Sequence, residues 1–367
     1  MRYKTLAMLV ASVAFLPACG TDDSNPFAAF NRVAPIPADA DIVFVSNLHA
    51  GPGAFHEAFA FSRETETESR LTFCTDNDAL CDTLEAVPHP DRERLAMRRV
   101  PMDLNRDGAL GDEDGVSLIV AQLVQGFESP FTEVDVFVSG VTWSLPPQAV
   151  SLSDFLVYSA LDPALARDLF QIDANGQNSN NLTSNPATRE TRPSFDPLGR
   201  FVAYERTELE VTLTGNIDQA APGKSGIWLF QSASTQFVVS QGGPGSAVLP
   251  GTLFIVGSDT DPVVSPDGTR IAFRRLTDTG NGGRGSWDIL TTDLNGANPE
   301  TVAAGPQYRG APDWGAEGLL FVELDLAART NQLVVVQPDG TGRSTPLTLS
   351  PDLDLSHPRW LTPAAPE

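Results

Sequence analysis

The sequence predicts an all-β fold, a six-bladed β-propeller of four-stranded antiparallel blades closed by the C-terminal strand joining the first blade. Three observations predict it. A strand, a tight Pro-Asp turn and a second strand recur along the chain. Each copy is followed by the signals of a further hairpin, which makes four strands per unit. The two ends of the chain hold complementary halves of one such unit.

The first blade starts with Pro37 to Phe44, which has only the continuation of the repeat, Ile42-Val43-Phe44, and Arg70-Leu71-Thr72 supplies its short outer strand. The second runs from Val87 to Met97 with His89-Pro90-Asp91 at the turn. In the third, Leu145 to Ser153 replaces the tight turn before Leu156-Val157-Tyr158; Asp168 to Ile172 with Asp173-Ala-Asn-Gly176 makes the second hairpin, and Asn181-Leu182-Thr183 the outer strand. Pro193 to Tyr204 opens the fourth blade. Pro262-Val-Val-Ser-Pro-Asp-Gly-Thr-Arg-Ile-Ala-Phe273 opens the fifth, which continues through Trp287 to Leu290 and Asp293-Leu-Asn-Gly296. The sixth runs from Pro312 to Phe321 and on through Gln332 to Val336 with Pro338-Asp-Gly340. Pro358-Arg359-Trp360 then matches only the opening of a repeat, so it is expected to supply the innermost strand of the first blade and leave no sheet edge at the seam. The turn chemistry has a reason. Proline fixes φ on entry, aspartate bonds the backbone ahead, and glycine accepts the positive φ that a side chain resists. Six units is the count, or seven if Phe127 to Val138 contains a degenerate one.

Composition fits one large β-rich body. Of 367 residues 41% are apolar and 19% charged, with Gly 30 and Pro 29, which excludes disorder and collagen. A formal charge of −23 opposes nucleic acid and anionic lipid headgroups as partners through its long-range field.

The N-terminus reads as an export signal: Arg2 and Lys4, an apolar run from Thr5 to Leu16, then Leu16-Pro17-Ala18-Cys19. The run is too short to span a bilayer. Its end resembles the lipobox of bacterial lipoproteins, which makes residues 1–18 a signal peptide, Cys19 the lipidated residue, 19–36 a tether, 37–362 the propeller and 363–367 a tail. Diacylation supplies the two chains that stable anchoring requires. Gly20 after the cysteine favours the outer membrane, with the body facing the periplasm or the cell surface. Simple cleaved secretion is the alternative. Cys74 and Cys81, with six residues of a polar segment between them, are expected to close a disulfide in an oxidising compartment, contributing about 2 to 3 kcal/mol by chain entropy. Two free thiols are the alternative, and no third Cys or nearby His completes a metal set.

The sharpest local motif is Asp103-Leu-Asn-Arg-Asp-Gly-Ala-Leu-Gly-Asp-Glu-Asp114, which has the spacing of a calcium loop. Asp103, Asn105 and Asp107 would ligate through side chains, Ala109 through its carbonyl and Asp114 through its carboxylate. Gly108 sits where the sharp turn needs it. Position 12 is Asp rather than Glu and the flanks read as strands, so a structural Ca2+ that stiffens a long blade loop is expected, with a metal-free acidic turn as the alternative.

Other motifs carry less. Gly223-Lys-Ser225 lacks the earlier glycine of a phosphate loop, since position 218 is Asp, and a strand follows it. Thr279 to Ser286 reads as a flexible blade loop. There is no Gly-x-Ser-x-Gly elbow, which disfavours a peptidase. His49, His56, His89 and His357 do not converge in the predicted topology and are expected in surface or turn positions. Asp313 and Arg359, at equivalent places on the innermost strands of adjacent blades six and one, are expected to line the central channel as a charge pair. No catalytic residue is nominated.

The units resemble the TolB-type, WD40-like β-propeller repeat, with its Pro-x-aromatic-Ser-Pro-Asp-Gly opening, Arg-Ile-Ala-Phe strand, Asp-x-x-Gly turn and Leu-Thr. The resemblance spans residues 37 to 362. It implies an envelope propeller that binds a protein partner through loops at one end, here as a monomer held to the membrane only by its lipid. TolB carries an additional N-terminal α/β domain, for which the stretch after Cys19 has no room, so TolB's specific role does not transfer. Two other readings stay open: a calcium-dependent surface or matrix-binding module, and a propeller enzyme acting on extracellular saccharide.

Overall fold

The computed structural model describes residues 33–49, 51, 55–74, 81–100, 115–130, 138–144, 154–161, 167–208, 223–232, 235–249 and 254–362. Among them the chain is all-β apart from a single 3-10 turn, Asn281–Gly283. The first unit contains β1 (Ile42–Ser46), β2 (Glu57–Ser62), β3 (Thr67–Arg70) and the last strand, β25 (Leu355–Trp360), in the order β25-β1-β2-β3. The second is β4 (Asp82–Pro88), β5 (Arg94–Val100), β6 (Ser117–Gln122) and β7 (Phe127–Pro130), in sequence order. An eight-stranded sheet follows: β8 (Gly140–Trp143), β9 (Phe155–Leu161), β10 (Arg167–Asp173), β11 (Asn180–Asn181), β12 (Thr188–Phe195), β13 (Val202–Glu208), β14 (Ser225–Ser232) and β15 (Thr235–Ser240). Its two halves are antiparallel meanders joined only by one parallel pair, Arg167↔Arg189, between β10 and β12. The remaining sheets are β16 (Asp259–Val264), β17 (Arg270–Asp278), β18 (Ser286–Asp293) and β19 (Glu300–Ala303), and then β20 (Tyr308–Arg309), β21 (Asp313–Gly315), β22 (Gly318–Asp325), β23 (Thr330–Val336) and β24 (Ser344–Leu349).

The predicted closure is present. β25 pairs antiparallel with β1, with Ile42 opposite Trp360 and Ser46 opposite Leu355, and the Leu361 N–H donates to the Asp41 carbonyl at 2.8 Å. The tight turns also form as their residues require. Gly268 and Gly199 adopt φ of 67° and 73°, and each donates its N–H back across the turn at 2.8 Å, to Ser265 and Asp196.

Apolar residues on both faces of the inner strands pack the sheets face to face around a ring. One cluster joins Val43, Val45, Ala58 and Ala60 to Leu95, Met97, Ile119 and Ala121 of the next sheet. Others join Ile42, Phe44 and Phe61 to Leu320, Val322 and Leu333, and Ile289 to Leu319, Phe321 and Val334. The folded body reaches back before β1: Val33 bridges Thr72, and Val33 and Ile36 are buried in the first cluster. Cys74 and Cys81 are bonded, with Cα atoms 5.0 Å apart, at the start of the second unit.

Four of the innermost strands share one irregularity that positions the site. β4, β12, β16 and β25 each slip register midway, at Thr83/Glu85, Thr191/Ser194, Thr260/Val263 and opposite Val43/Val45. In three of them the bulge falls on the residue before the repeat proline, where a missing N–H interrupts no ladder bond. Arg192, Asp261 and His357 there take φ of 54°, 52° and 45°. For side chains with a Cβ this left-handed backbone costs roughly 1 to 2 kcal/mol each. The same residues point toward the axis.

Candidate functional site

The innermost strands of all the sheets line one axial cavity of about 100 Å³. Strand periodicity of two gives it two tiers, because residues i and i+2 face the same way. Glu85, Gly140, Arg192, Asp261, Ala311 and His357 make one tier, and Val87, Thr142, Ser194, Val263, Asp313 and Arg359 the other. Gly140 is the close approach: a Cβ there would lie 2.8 Å from the Arg192 Cα. Glycine therefore lets β8 and β12 meet.

Charges in the first tier are paired with one another and with groups just outside it. Arg192 and Arg274 both bond Asp261, and Arg192 also lies 3.4 Å from Glu205. Glu85 pairs with Arg359 at 2.7 Å and with Arg98 at 3.4 Å. Burial works against ionisation of Glu85 and Asp261, but the surrounding basic groups outweigh it and hold both carboxyls below their ordinary range, His357, Arg359 and Arg98 at Glu85 and Arg192, Arg274 and His357 at Asp261. The same carboxylates raise the Arg192 guanidinium against the opposing effect of its burial. His357 behaves differently. Burial pushes its pKa down to about 4, so it stands neutral, and its Nδ1 has no hydrogen-bond partner among the described residues.

The expected pairing of Asp313 with Arg359 does not form as an ion pair. Both line the cavity, but Arg359 turns to Glu85 of the second unit, while Asp313 accepts the Trp360 backbone N–H at 2.7 Å. Burial raises the Asp313 pKa, with Arg359 opposing. The reason is geometric: the bulge at His357 swings Arg359 toward β4 rather than back toward β21.

His49 is exposed, as expected, whereas His56, His89 and His357 are wholly or partly buried and carry structural contacts. His56 spans the joint between units, with Nδ1 2.9 Å from Asp82 and Nε2 3.3 Å from Asp354. Burial alone would lower its pKa, but the hydrogen bonds to Asp354 and Asp82 raise it to about 9. His89 is buried edge-on against Trp143, with centroids 4.8 Å apart, and lies 2.9 Å from Asp91. Sequence reasoning missed these roles and the whole first tier. The signal was present, since Arg192, Asp261 and His357 each stand immediately before the proline that opens a repeat, at Pro193, Pro262 and Pro358.

Cys19 and the calcium-loop residues Asp103, Asn105, Asp107, Ala109 and Asp114 lie outside the described residues. Among the described residues no group of three or more His, Cys, Asp or Glu side chains is placed to hold a metal. Large exposed apolar side chains are scattered over different units: Val124 after β6, Leu198 after β12, Leu326 after β22, and Phe237 and Val238 on β15.

No protein-family model matches the chain, and no curated protein does. Solved structures do. The chain is similar to TolB from Acinetobacter baumannii, with a TM-score of 0.57 and 13% identity over 89% of this chain and 68% of that one. A putative TolB from Agrobacterium tumefaciens matches with a TM-score of 0.51 and 14% identity, over 88% and 98% of the two chains. Hydrazine synthase from Kuenenia stuttgartiensis matches with a TM-score of 0.59 and 9% identity, over 90% of this chain and 48% of that one. At these identities the likeness is one of fold: a TolB-like β-propeller.

Proposed function

We propose that this chain is a six-bladed propeller of the bacterial cell envelope, held by lipid at Cys19, that acts as a scaffold binding a protein partner through the loops at one end. The count of six is supported by dividing the eight-stranded sheet into its two meanders at the single parallel pair, Arg167↔Arg189. The observation that carries the scaffold reading is the channel. Its volume of about 100 Å³ falls below the 300 to 1,000 Å³ of ordinary ligand pockets, and Glu85, Arg192, Asp261 and Arg359 are held in ion pairs. Recognition is then left to the blade ends, where loops carried by a rigid ring are suited to it. The TolB-like fold supports this reading, and the loop at 103–114 adds a structural calcium site to one end. The same small volume disfavours saccharide turnover in the channel.

The test is affinity capture from envelope extract with the full lipidated chain as bait, with and without a calcium chelator, read by mass spectrometry. A reproducible protein partner that survives mutation of the channel-lining Thr142 but not replacement of an end loop supports the scaffold. No partner in either condition removes it. Loss under chelation alone favours the calcium-dependent module.

A further inference from the structure

The strand that closes the ring is held by a short, broken ladder and flanked by two histidines. The bulge at His357 and Pro358 splits the β25–β1 pairing in two, leaving Leu355 and Ser356 opposite Ser46 and Val45, and Arg359 and Trp360 opposite Val43 and Ile42. Side chains hold the ends. The Ser46 hydroxyl donates to the Asp354 carbonyl at 2.6 Å, and the Asp354 N–H donates to Asn47 Oδ1 at 2.8 Å. At the far end the Trp360 N–H donates to Asp313. We infer that this seam is a pH-sensitive joint, loosened by acid through His357 and by alkali through His56, and tightest near neutrality.

His357 lines the axial channel at the break in the ladder. The charged groups around it are Glu85 from β4, Arg98 from β5, Arg192 from β12, Asp261 from β16 and Arg359 of its own strand, and Asp313 from β21 lines the same channel. Two of the carboxylates are already engaged. Glu85 is paired with Arg98 and Arg359, and Asp261 with Arg192 and Arg274. A neutral imidazole donates from one nitrogen and a charged one from both. The buried Nδ1 has no hydrogen-bond partner among the described residues, so the charged ring would carry an unmet donor beside three guanidinium groups. Burial pushes its pKa down to about 4, with Glu85 opposing. An opened seam returns the ring to water and to its ordinary value of 6.5. The open form therefore binds the proton more tightly, and closure weakens as pH falls from 6.5 toward 4.

His56 acts in the opposite sense. Its ring joins Asp82 of β4 to Asp354, the residue before β25, and Arg284 lies 3.7 Å from Asp354 on the other side. The neighbouring Glu57 is taken up by Arg70. Hydrogen bonds to the two aspartates raise the His56 pKa to about 9 against its burial, so this bridge is complete below pH 6.5 and lost as pH rises through 9. Asp313, whose pKa burial raises, offsets part of the acid effect, and substitution at 357 leaves it in place.

The experiment is amide hydrogen exchange of the full chain at pH 5, 7 and 9.5, corrected for intrinsic exchange, with protection of Leu355–Trp360 divided by that of Arg270–Asp278 on β17. In the parent this ratio should fall about tenfold or more from pH 7 to pH 5, and fall again toward pH 9.5. His357→Asn, a residue that tolerates the positive φ at this position, should abolish the acid fall and keep the alkaline one. His56→Gln should do the reverse. A ratio independent of pH in the parent overturns the inference, as does an acid fall that persists in His357→Asn or an alkaline fall that persists in His56→Gln. Should either variant fail to fold, NMR titration of the parent's imidazoles decides: His357 is expected neutral at pH 5 and His56 charged at pH 8, and the contrary state of either ring overturns the inference.

Discussion

Replacing His56 by glutamine should remove a pH-dependent latch across the ring joint. His56 stands at the start of β2 and joins Asp82 at the head of β4 to Asp354 just before the closing strand β25. Its pKa is raised from 6.5 to about 9 in the folded chain. Because the folded value lies above the unfolded one, the stabilisation is fully present below pH 6.5 and is lost as pH rises through 9. The shift corresponds to about 3 kcal/mol at most, and the partial exposure of the ring and of Asp354 reduces this to about 1 to 2 kcal/mol. Urea unfolding of the parent and of His56→Gln at pH 6, 7.5 and 10 would measure it. The parent should exceed the variant by that amount at pH 6 and match it closely at pH 10. Taking the difference between the two proteins cancels other groups that titrate in the same window. A gap that stays constant from pH 6 to pH 10 would refute the latch.

Three further perturbations probe other parts of the account. Glu190 is buried on β12 and burial pushes its pKa up to about 8, with Thr188 opposing through a hydrogen bond and Asp168 reinforcing. Its stabilising contribution is present below the ordinary carboxylate range and lost as pH rises toward 8, so Glu190→Gln should stabilise the chain at pH 8 by about 1 to 3 kcal/mol and change little at pH 4, as read by denaturation midpoints. Gly140→Ala places a methyl group 2.8 Å from the Arg192 Cα, backbone that yields only by moving β8 from β12, and should cost about 1 to 3 kcal/mol in chemical denaturation. Double replacement of Asp103 and Asp107 by alanine should abolish calcium binding measured by titration calorimetry, and unchanged affinity would remove that proposal.

The hairpins were legible because they are local. Pro-Asp-Gly turns, alternating apolar residues and the half-units at Pro37 to Phe44 and Pro358 to Trp360 all lie within short windows of sequence, and the β25–β1 pairing follows from them. Contacts between neighbouring sheets were less legible, since they depend on where a bulge turns a side chain. Arg359 was expected to pair with Asp313 and instead bonds Glu85 after the slip at His357. His89, read as a turn residue, is buried against Trp143 because the turn folds back onto the second unit's neighbour. The third unit lacks the tight turn in its sequence. In the structure it runs on into the fourth as one sheet, and the Ser159 hydroxyl donates across that junction to the Glu190 carbonyl at 2.6 Å. For the channel charges Arg192, Asp261 and His357 the sequence trace is their place immediately before a repeat proline.

The account rests on a ring closed by strands from opposite ends of the chain, since a closed ring is what holds the channel-lining strands in register. Amide hydrogen exchange of the native protein tests this directly. Closure predicts that Leu355–Trp360 is protected as strongly as its partner Ile42–Ser46 and that the two exchange together in one cooperative opening. Exchange of Leu355–Trp360 within the first seconds, while Ile42–Ser46 and Glu57–Ser62 remain protected, would contradict it.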